Sequence, residues 1–190
     1  MARVPYVTRS ELPEEHQHLF DVDGEEPDDT HNHAHQVMAN DPQLFTAWSE
    51  WAWALYEAVD DARVREFVIL AVASALECRY VWQQHVPLAR EWGISTDEIV
   101  AISAGDHAAF SAAESAVLAF GTALITGSVD DETHRALARH YTDREIVALG
   151  PLASEYLQLG TVLAALAVEL EEEFVGWDRE NDHRIVADRD

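Results

Sequence analysis

A pattern that starts helices recurs three times in the chain, and it constrains the fold more than any other feature. Ser95–Glu98, Ser111–Glu114 and Thr142–Glu145 each place a hydroxyl residue three positions before a glutamate. In such a capping box the two side chains bond to backbone N–H groups left unpaired at the first turn of a helix. No stretch shows the sustained alternation of β-branched residues that is typical of strands. The sequence therefore predicts an all-α fold.

The apolar pattern extends these starts into a series of helices. We predict helices over 41–59, 63–76, about 78–92, from Ser95, 111–125, 130–140 and 142–169. The first begins at Asp41-Pro42, an N-cap residue followed by proline. Its apolar residues are spaced for one buried stripe: Leu44, Phe45, Trp48, Trp51, Leu55 and Val59. The helix over 63–76 is apolar nearly all round, which is typical of a helix at the centre of a core.

The chain divides by composition into three parts. We predict an N-terminal arm with an acidic loop over 1–40, one helical domain over 41–170, and an acidic tail over 171–190. The tail is either frayed or an arm over a neighbouring subunit. A faint internal similarity joins Arg65–Leu70 to Arg144–Leu149. It is either a chance match or the mark of two related helical hairpins.

The charge excludes several classes of function. The chain carries 36 acidic and 12 basic side chains, for a net charge of −24, and every basic residue is arginine. Phosphate binding needs clustered basic residues, so nucleic-acid binding is not expected. Acid excess without lysine favours a protein adapted to concentrated salt, where self-repulsion is screened. The alternative is a genome whose codons favour arginine, with an acidic surface.

Other classes are excluded by motifs that the sequence does not show. The single cysteine cannot form a disulfide within the chain. We expect no membrane span and no signal peptide, and hence a cytoplasmic protein. No dinucleotide-binding glycine motif or P-loop occurs, so no cofactor is expected. His31, His33 and His35 alternate in a stretch that we interpret as a loop passing into a helix. A solvated loop is favoured over a metal site because no cysteine or tight acidic ligand set accompanies them.

Three reactive side chains lie within an apolar stretch: Glu66, Cys78 and His85. Cys78 and His85 are seven positions apart, so they share one helix face two turns apart. Cys78 falls near a helix start, where the dipole would lower the pKa of its thiol. Glu66 could orient or deprotonate His85 if the two helices pack antiparallel. The three residues predict an acid–base or thiol site.

Each of these residues also has a purely structural interpretation. Cys78 could be a small buried hydrophobe, and His85 a hydrogen-bonded core residue. Glu66 could be an acid favoured by the helix dipole, or could form an ion pair with an arginine. Tyr80 and Trp82 could be packing residues or could line a substrate pocket.

The spacing and its flanks resemble the carboxymuconolactone decarboxylase and alkyl-hydroperoxidase D-like (AhpD-like) superfamily. Its pattern is Glu-x11-Cys-x2-Cys-x3-His, and the flanking segments Arg65–Leu70 and Tyr80–Arg90 are similar too. The resemblance extends from about Asn40 to Leu163. It implies an AhpD-like helical bundle that assembles as a homotrimer or homohexamer, and an enzyme with a small-molecule substrate.

One departure from the family pattern limits what the resemblance implies. Val81 occupies the position of the second cysteine, so the dithiol mechanism does not carry over. A one-cysteine hydroperoxidase with Glu66, Cys78 and His85 would need an external thiol reductant. Decarboxylation of a small carboxylated lactone would use Glu66 and His85 for proton transfer.

The resemblance and the sequence together leave the substrate contacts as expectations. The candidates for substrate binding beside the site are Arg79, Tyr80 and Trp82. Arg65 is a further cation. The alternative from another functional class is a non-catalytic oligomeric scaffold or small-molecule binder that retains the fold.

Overall fold

The structure is a computed structural model that describes residues 1–21, 32–171, 177–178 and 184–185. These residues form two short 3₁₀ helices (Arg9–Glu11 and Glu14–Phe20) and the α-helices α1 His33–Met38, α2 Pro42–Ala58, α3 Ala62–Ala75, α4 Arg79–Glu91, α5 Thr96–Ala104, α6 Ala112–Ile125, α7 Asp131–Leu137 and α8 Asp143–Ala165. Two-residue strands β1 Trp177–Asp178 and β2 Arg184–Ile185 pair antiparallel. The all-α prediction is confirmed. His31, most of the predicted acidic loop and most of the predicted acidic tail lie outside the described residues.

All three predicted capping boxes form. At the start of α8, the carboxylate of Glu145 accepts from the backbone N–H of Thr142 at 2.7 Å, and the Thr142 hydroxyl accepts from the backbone N–H of Glu145 at 3.3 Å. Ser95 and Ser111 start α5 and α6 in the same way. Helix starts are therefore fixed by side chains within four residues of each other.

Residues Met1–Ala54 and Val162–Glu173 form one compact unit. Its core cluster combines buried side chains of the N-terminal segment with Phe45 of α2; the cluster consists of Leu12, Phe20, Ala39 and Phe45, with Val7, Leu19, Met38 and Trp48 packed against it. The Arg3 guanidinium donates to the carbonyl of Ala165 at 2.6 Å. A cation at this end of α8 offsets the partial negative charge of the last carbonyls.

The predicted apolar stripe of α2 is only partly buried. Leu55 and Val59, like Phe45, are buried, but Leu44 is 57% exposed and Trp51 is 47% exposed. Seven residues separate these two, so they lie on one side of the helix, at the edge of the stripe. Periodicity predicts which side of a helix is apolar, but the width of the covered strip depends on the neighbouring elements.

The described residues of 55–161 and 174–190 form the second unit, and α3 is a buried helix of that unit. Every residue from Glu66 to Ala73 is buried. Gly121 of α6 lets the two helices approach closely, because a Cβ at this position would lie 3.2 Å from the Cβ of Ala71. The prediction of a central core helix over 63–76 is thereby confirmed for the buried run.

Two of the capping glutamates have a second partner on α3. Arg63 donates to Glu98 and, at 3.1 Å, to Glu114. Partial burial opposes ionisation, but hydrogen bonds from Ser95 and Arg63 outweigh it and lower the pKa of Glu98. One guanidinium thus joins the starts of α5 and α6 to the start of α3.

The turn between α3 and α4 contains a backbone conformation that usually requires glycine. Glu77 follows the last residues of α3 and has φ = 54°. The next residue, Cys78, donates its N–H to the carbonyl of Ala73 at 2.9 Å, which closes the helix end. The turn places Cys78 at the N-cap of α4.

Replacement of this strained residue is expected to stabilise the chain. A side chain in the left-handed region costs about 1–2 kcal/mol relative to glycine, so Glu77→Gly should raise the free energy of unfolding by about 1 kcal/mol. The measurement is the urea midpoint at unchanged m-value. Glu77→Ala is the control, because it removes the charge and keeps the strain; a gain of equal size in Glu77→Ala would contradict this explanation.

Helix α8 is long and apolar enough, by length and composition alone, to cross a membrane. The most apolar 18-residue window of α8 has a mean hydropathy of 1.3, and 44% of that window is buried within the structure. The helix also carries Glu155, which is 5% exposed, and buried apolar residues that include Leu149 and Leu152. We interpret α8 as a core helix, since core helices meet the same criterion.

Candidate active site

Glu66 of α3 and His85 of α4 lie in direct contact. The Nδ1 atom of His85 is 2.8 Å from Oε2 of Glu66. Glu66 is 1% exposed and His85 is 7% exposed. The contact that the sequence predicted for this pair is present, and it lies in a nearly water-free environment. In such an environment a charge-assisted hydrogen bond is stronger than at the surface.

The contact gives the two ring nitrogens of His85 different surroundings. Nδ1 faces the carboxylate, so the neutral ring that donates to Glu66 carries its proton on Nδ1. The contact engages Nδ1 alone, so Nε2 is the ring nitrogen that Glu66 does not occupy. A ring held in this way can accept or donate a proton at Nε2 while Glu66 stabilises the charged form.

The second carboxylate oxygen of Glu66 faces an arginine. Oε1 lies 3.9 Å from Nε of Arg65. Among the described residues, both atoms are buried without a hydrogen-bond partner. The distance is too long for a hydrogen bond, but the positive charge still offsets the buried carboxylate. Glu66 therefore fits both interpretations from the sequence: its Oε2 atom orients His85, and its Oε1 atom faces an arginine.

Two tyrosines complete the surroundings of His85, and the sequence analysis did not identify either. The ring of Tyr156 in α8 packs at 4.8 Å and 89° against the His85 ring. Its hydroxyl is 2.7 Å from that of Tyr56 at the end of α2. Burial raises the pKa of Tyr56 to about 12 and that of Tyr156 well above its usual value. Both hydroxyls are therefore neutral and keep their protons.

Cys78 occupies the predicted position at the start of α4, but its predicted electrostatics are wrong. Its sulfur packs against α8, where a Cβ added at Gly160 would lie 3.2 Å from Sγ. Burial raises the pKa of the Cys78 thiol, although the backbone amides of Val81 and Tyr80 act in the opposite direction. Desolvation of the thiolate thus outweighs the helix dipole on which the sequence prediction was based.

This environment predicts slow alkylation of Cys78 in the native protein. Because only the thiolate reacts and its pKa is raised, native Cys78 should react with iodoacetamide more slowly than a surface thiol at neutral pH. The rate should continue to rise at pH values above the usual thiol range. The measurement is the second-order rate by intact mass as a function of pH, repeated in denaturant, where the difference should vanish.

The matched control is a surface cysteine in the same chain. Ala119 is exposed near the middle of α6, so Cys78→Ser combined with Ala119→Cys gives one thiol without the burial. Equal native rates for the two thiols would contradict the assigned effect of burial.

The three predicted substrate-binding residues differ in exposure. Trp82 is fully buried and Tyr80 is 7% exposed, whereas Arg79 is exposed. Burial of Trp82 agrees with the packing interpretation of that residue. A role for any of the three in binding substrate stays a prediction.

The described residues contain no group of three or more histidine, cysteine or acidic side chains that could hold a metal ion. The Nδ1 atom of His33 lies 2.8 Å from the carbonyl of Glu169, and Nδ1 of His35 lies 2.6 Å from the Asn32 side chain. His33 and His35 therefore lie in the helical part of the predicted loop-to-helix stretch and are held by hydrogen bonds, so the solvated-loop interpretation is wrong for these two residues.

An open groove of about 340 Å³ lies elsewhere on the second unit. It is lined by residues of α3, of the turn after α3, of α5, of the segment between α5 and α6, and of α6. They include Ser74, Glu77, Ser103, His107 and Thr122. None of the three predicted catalytic side chains lines it. This groove therefore does not connect the reactive pair to solvent.

Comparison with known proteins gives a family match over part of the chain and a similarity in fold. Residues 42–123 match the sequence model of the Carboxymuconolactone decarboxylase family. A search of curated proteins found no match. The matched segment contains all three predicted catalytic residues.

Three solved structures are similar in fold. The alkylhydroperoxidase AhpD core, an uncharacterized peroxidase-related protein from Ralstonia eutropha, has a TM-score of 0.76 and 17% identity, over 91% of this chain and 94% of that chain. The debrominase Bmp8 has a TM-score of 0.66 and 19% identity, over 74% and 78% of the two chains. An uncharacterized peroxidase-related protein from Silicibacter sp. has a TM-score of 0.66 and 16% identity, over 76% and 79%.

Proposed function

We propose that the chain, whose residues 42–123 match the Carboxymuconolactone decarboxylase family, is a member of that family and of the AhpD-like superfamily. We further propose that it is an enzyme whose Glu66–His85 pair transfers a proton to or from a small molecule. One observation carries the proposal: the 2.8 Å contact between Oε2 of Glu66 and Nδ1 of His85, with both side chains almost completely removed from water. Burying a carboxylate is costly unless it is paired. Because Glu66 is paired with His85, the two side chains form an oriented acid–base group.

The roles follow from the two ends of the histidine. Glu66 holds the proton on Nδ1 and stabilises the imidazolium when it forms. Nε2 is the end that exchanges a proton with substrate. General acid–base catalysis by such a pair contributes about 10²- to 10⁴-fold to the rate.

The reaction that we propose first is decarboxylation of a small carboxylated lactone. The bond between the carboxylate and its carbon breaks, carbon dioxide leaves, and the bonding electron pair remains on the substrate. The imidazolium of His85 then gives the Nε2 proton to that carbon, and water restores the proton. Arg65 provides a cation 3.9 Å from Glu66. This reaction does not need Cys78 as a thiolate.

The second candidate is hydroperoxide reduction by Cys78. Two observations favour it: Cys78 lies at the N-cap of the helix that carries His85, and solved structures of similar fold include peroxidase-related proteins. The thiolate would attack the outer oxygen of the hydroperoxide, the O–O bond would break, and the alcohol would leave with a proton. A first external thiol would condense with the resulting sulfenic acid, releasing water and leaving a mixed disulfide on Cys78. A second external thiol would break that bond, which returns the Cys78 thiol and releases the disulfide of the two external thiols. The raised pKa of Cys78 makes this the weaker candidate.

One experiment separates the two reactions and the non-catalytic alternative. The protein, Cys78→Ser and His85→Gln are each given carboxylated lactones, followed by carbon dioxide release, and an alkyl hydroperoxide with dithiothreitol, followed by peroxide loss. Decarboxylation predicts turnover that survives Cys78→Ser and is lost in His85→Gln. Peroxide reduction predicts loss in Cys78→Ser. No turnover with either substrate class would favour a scaffold or small-molecule binder.

We also propose that the chain works as a homotrimer or homohexamer in the cytoplasm. The exposed apolar side chains of α2 support an interface between copies, since Leu44 is 57%, Trp51 47% and Trp53 64% exposed in the single chain. Light scattering after size-exclusion chromatography tests the assembly, and a monomer at all salt concentrations would contradict it.

A further inference from the structure

The side chains around His85 form a closed ring of contacts that comes from four helices. Going round it, Glu66 binds His85 at 2.8 Å, His85 packs on Tyr156 at 4.8 Å, and Tyr156 binds Tyr56 at 2.7 Å. The guanidinium of Arg65 then lies 4.4 Å from the centre of the Tyr56 ring and returns to Glu66 at 3.9 Å. The tyrosines thus connect back to the same carboxylate that holds the histidine.

We propose that Tyr156, fixed by its hydroxyl bond to Tyr56, is a positioning residue that sets the plane of the His85 ring. This inference rests on the proposed function of the Glu66–His85 pair. The near-perpendicular contact at 89° blocks rotation of the imidazole about its side-chain bonds on one side, and the carboxylate holds it on the other. Rotation by half a turn would remove Nδ1 from Glu66, so the ring contact preserves Nε2 as the exchanging nitrogen.

The hydrogen bond between the two hydroxyls fixes the position of the Tyr156 ring. Buried tyrosine hydroxyls need a hydrogen-bond partner, and here each serves the other although they lie one hundred positions apart in sequence. Two phenylalanines would pack equally well without fixing their separation. The perpendicular contact of Tyr156 with His85 also has a preferred geometry of its own, which ordinary apolar packing against the imidazole would not impose.

Three helices besides α4 contribute the charged and titratable groups near His85. Glu66, which contacts His85, and Arg65, which lies beside Glu66, belong to α3. Tyr156 and its neighbour Glu155 belong to α8, and Tyr56 belongs to α2. Tyr56 and Tyr156 stay neutral because burial raises the pKa of both hydroxyls. Removing either hydroxyl therefore changes no charge near the histidine.

The experiment is a double-mutant cycle read by NMR of the full-length protein labelled with ¹⁵N-histidine. Tyr156→Phe and Tyr56→Phe each remove the same hydroxyl bond, so each should speed exchange of the His85 Nδ1 proton by about three- to tenfold. The double variant should do no more than either single variant, because both remove one interaction. Tyr156→Leu removes the ring itself and should mix the two tautomers in the ¹⁵N shifts.

The control is Tyr141→Phe, since Tyr141 donates only at 3.5 Å to the carbonyl of Ala113, away from the ring of contacts. It should leave the His85 signals unchanged. Unchanged Nδ1 exchange in both single variants, or additive effects in the double variant, would overturn the proposal. If the NMR results hold but no substrate is turned over, the positioning role stands and the proposed function fails.

Discussion

Replacement of His85 by glutamine is expected to lower kcat by about 10²- to 10⁴-fold, the usual contribution of a general acid–base group. The physical reason is that in the proposed mechanism Nε2 exchanges the proton with substrate, while Nδ1 is occupied by Glu66 at 2.8 Å. Glutamine can still bond to the carboxylate but cannot carry a proton to substrate. The measurement is the steady-state rate with the substrate class identified by the panel above, with KM determined alongside.

Glu66→Gln should also lower kcat, and the loss should fall on kcat rather than KM. An amide can accept a hydrogen bond from Nδ1 but cannot offset the charge of an imidazolium, so the step that forms or consumes that ion is slowed. Because Glu66 lies beside Arg65 at 3.9 Å, the variant leaves a half-buried guanidinium without this carboxylate. The thermal midpoint must therefore be measured in parallel, to separate lost activity from lost folding.

The matched control for His85 is a histidine outside the site. His134 in α7 is exposed, so His134→Gln removes the same group with no effect on the pair. A His85→Gln variant that keeps more than about a tenth of the rate would contradict the assigned role, since it falls outside the range for acid–base catalysis. A His134→Gln variant that loses activity would show that the assay reports folding and not chemistry.

The parts of the fold that could be predicted are those set by local chemistry. The starts at Ser95, Ser111 and Thr142 depend on hydrogen bonds within four residues, and all three formed as predicted. The exposure of Leu44 and Trp51 could not be predicted from spacing, because it depends on which elements cover α2. The φ of 54° at Glu77 could not be predicted either, since glycine or asparagine is the usual signal for that conformation.

In the candidate site, too, some contacts could be predicted from the sequence and others could not. The contact of Glu66 with His85 could be predicted because two neighbouring helices carry both residues. Tyr56 and Tyr156 were missed because they lie on α2 and α8, far apart in sequence. A signal was available: a tyrosine on the buried face of an apolar helix needs a partner for its hydroxyl. The thiol of Cys78 was judged from its helix position, whereas its burial against Gly160 decides its pKa.

Unfolding is expected to be strongly salt-dependent, with a thermal midpoint about 5–10 °C higher in 1 M than in 0.1 M KCl. The chain carries a net charge of −24. Two like charges 10 Å apart in water repel by about 0.4 kcal/mol, reduced by screening to roughly 0.15 kcal/mol at 0.1 M salt and about 0.01 kcal/mol at 1 M. With about one such neighbour for each excess charge, screening contributes roughly 2–4 kcal/mol, and each kcal/mol shifts the midpoint by about 2–4 °C at this chain length.

Charge removal separates this electrostatic effect from the general effect of salt on apolar burial. Glu50, Glu57 and Glu91 are exposed and lie outside the capping boxes. Their combined replacement by glutamine should raise the midpoint in dilute buffer and reduce its dependence on KCl, because fewer like charges remain to be screened. If the triple variant keeps the full salt response, the response comes from solvent effects on apolar surface. If the parent chain shows no rise at all, its acid excess reflects composition and not adaptation to concentrated salt.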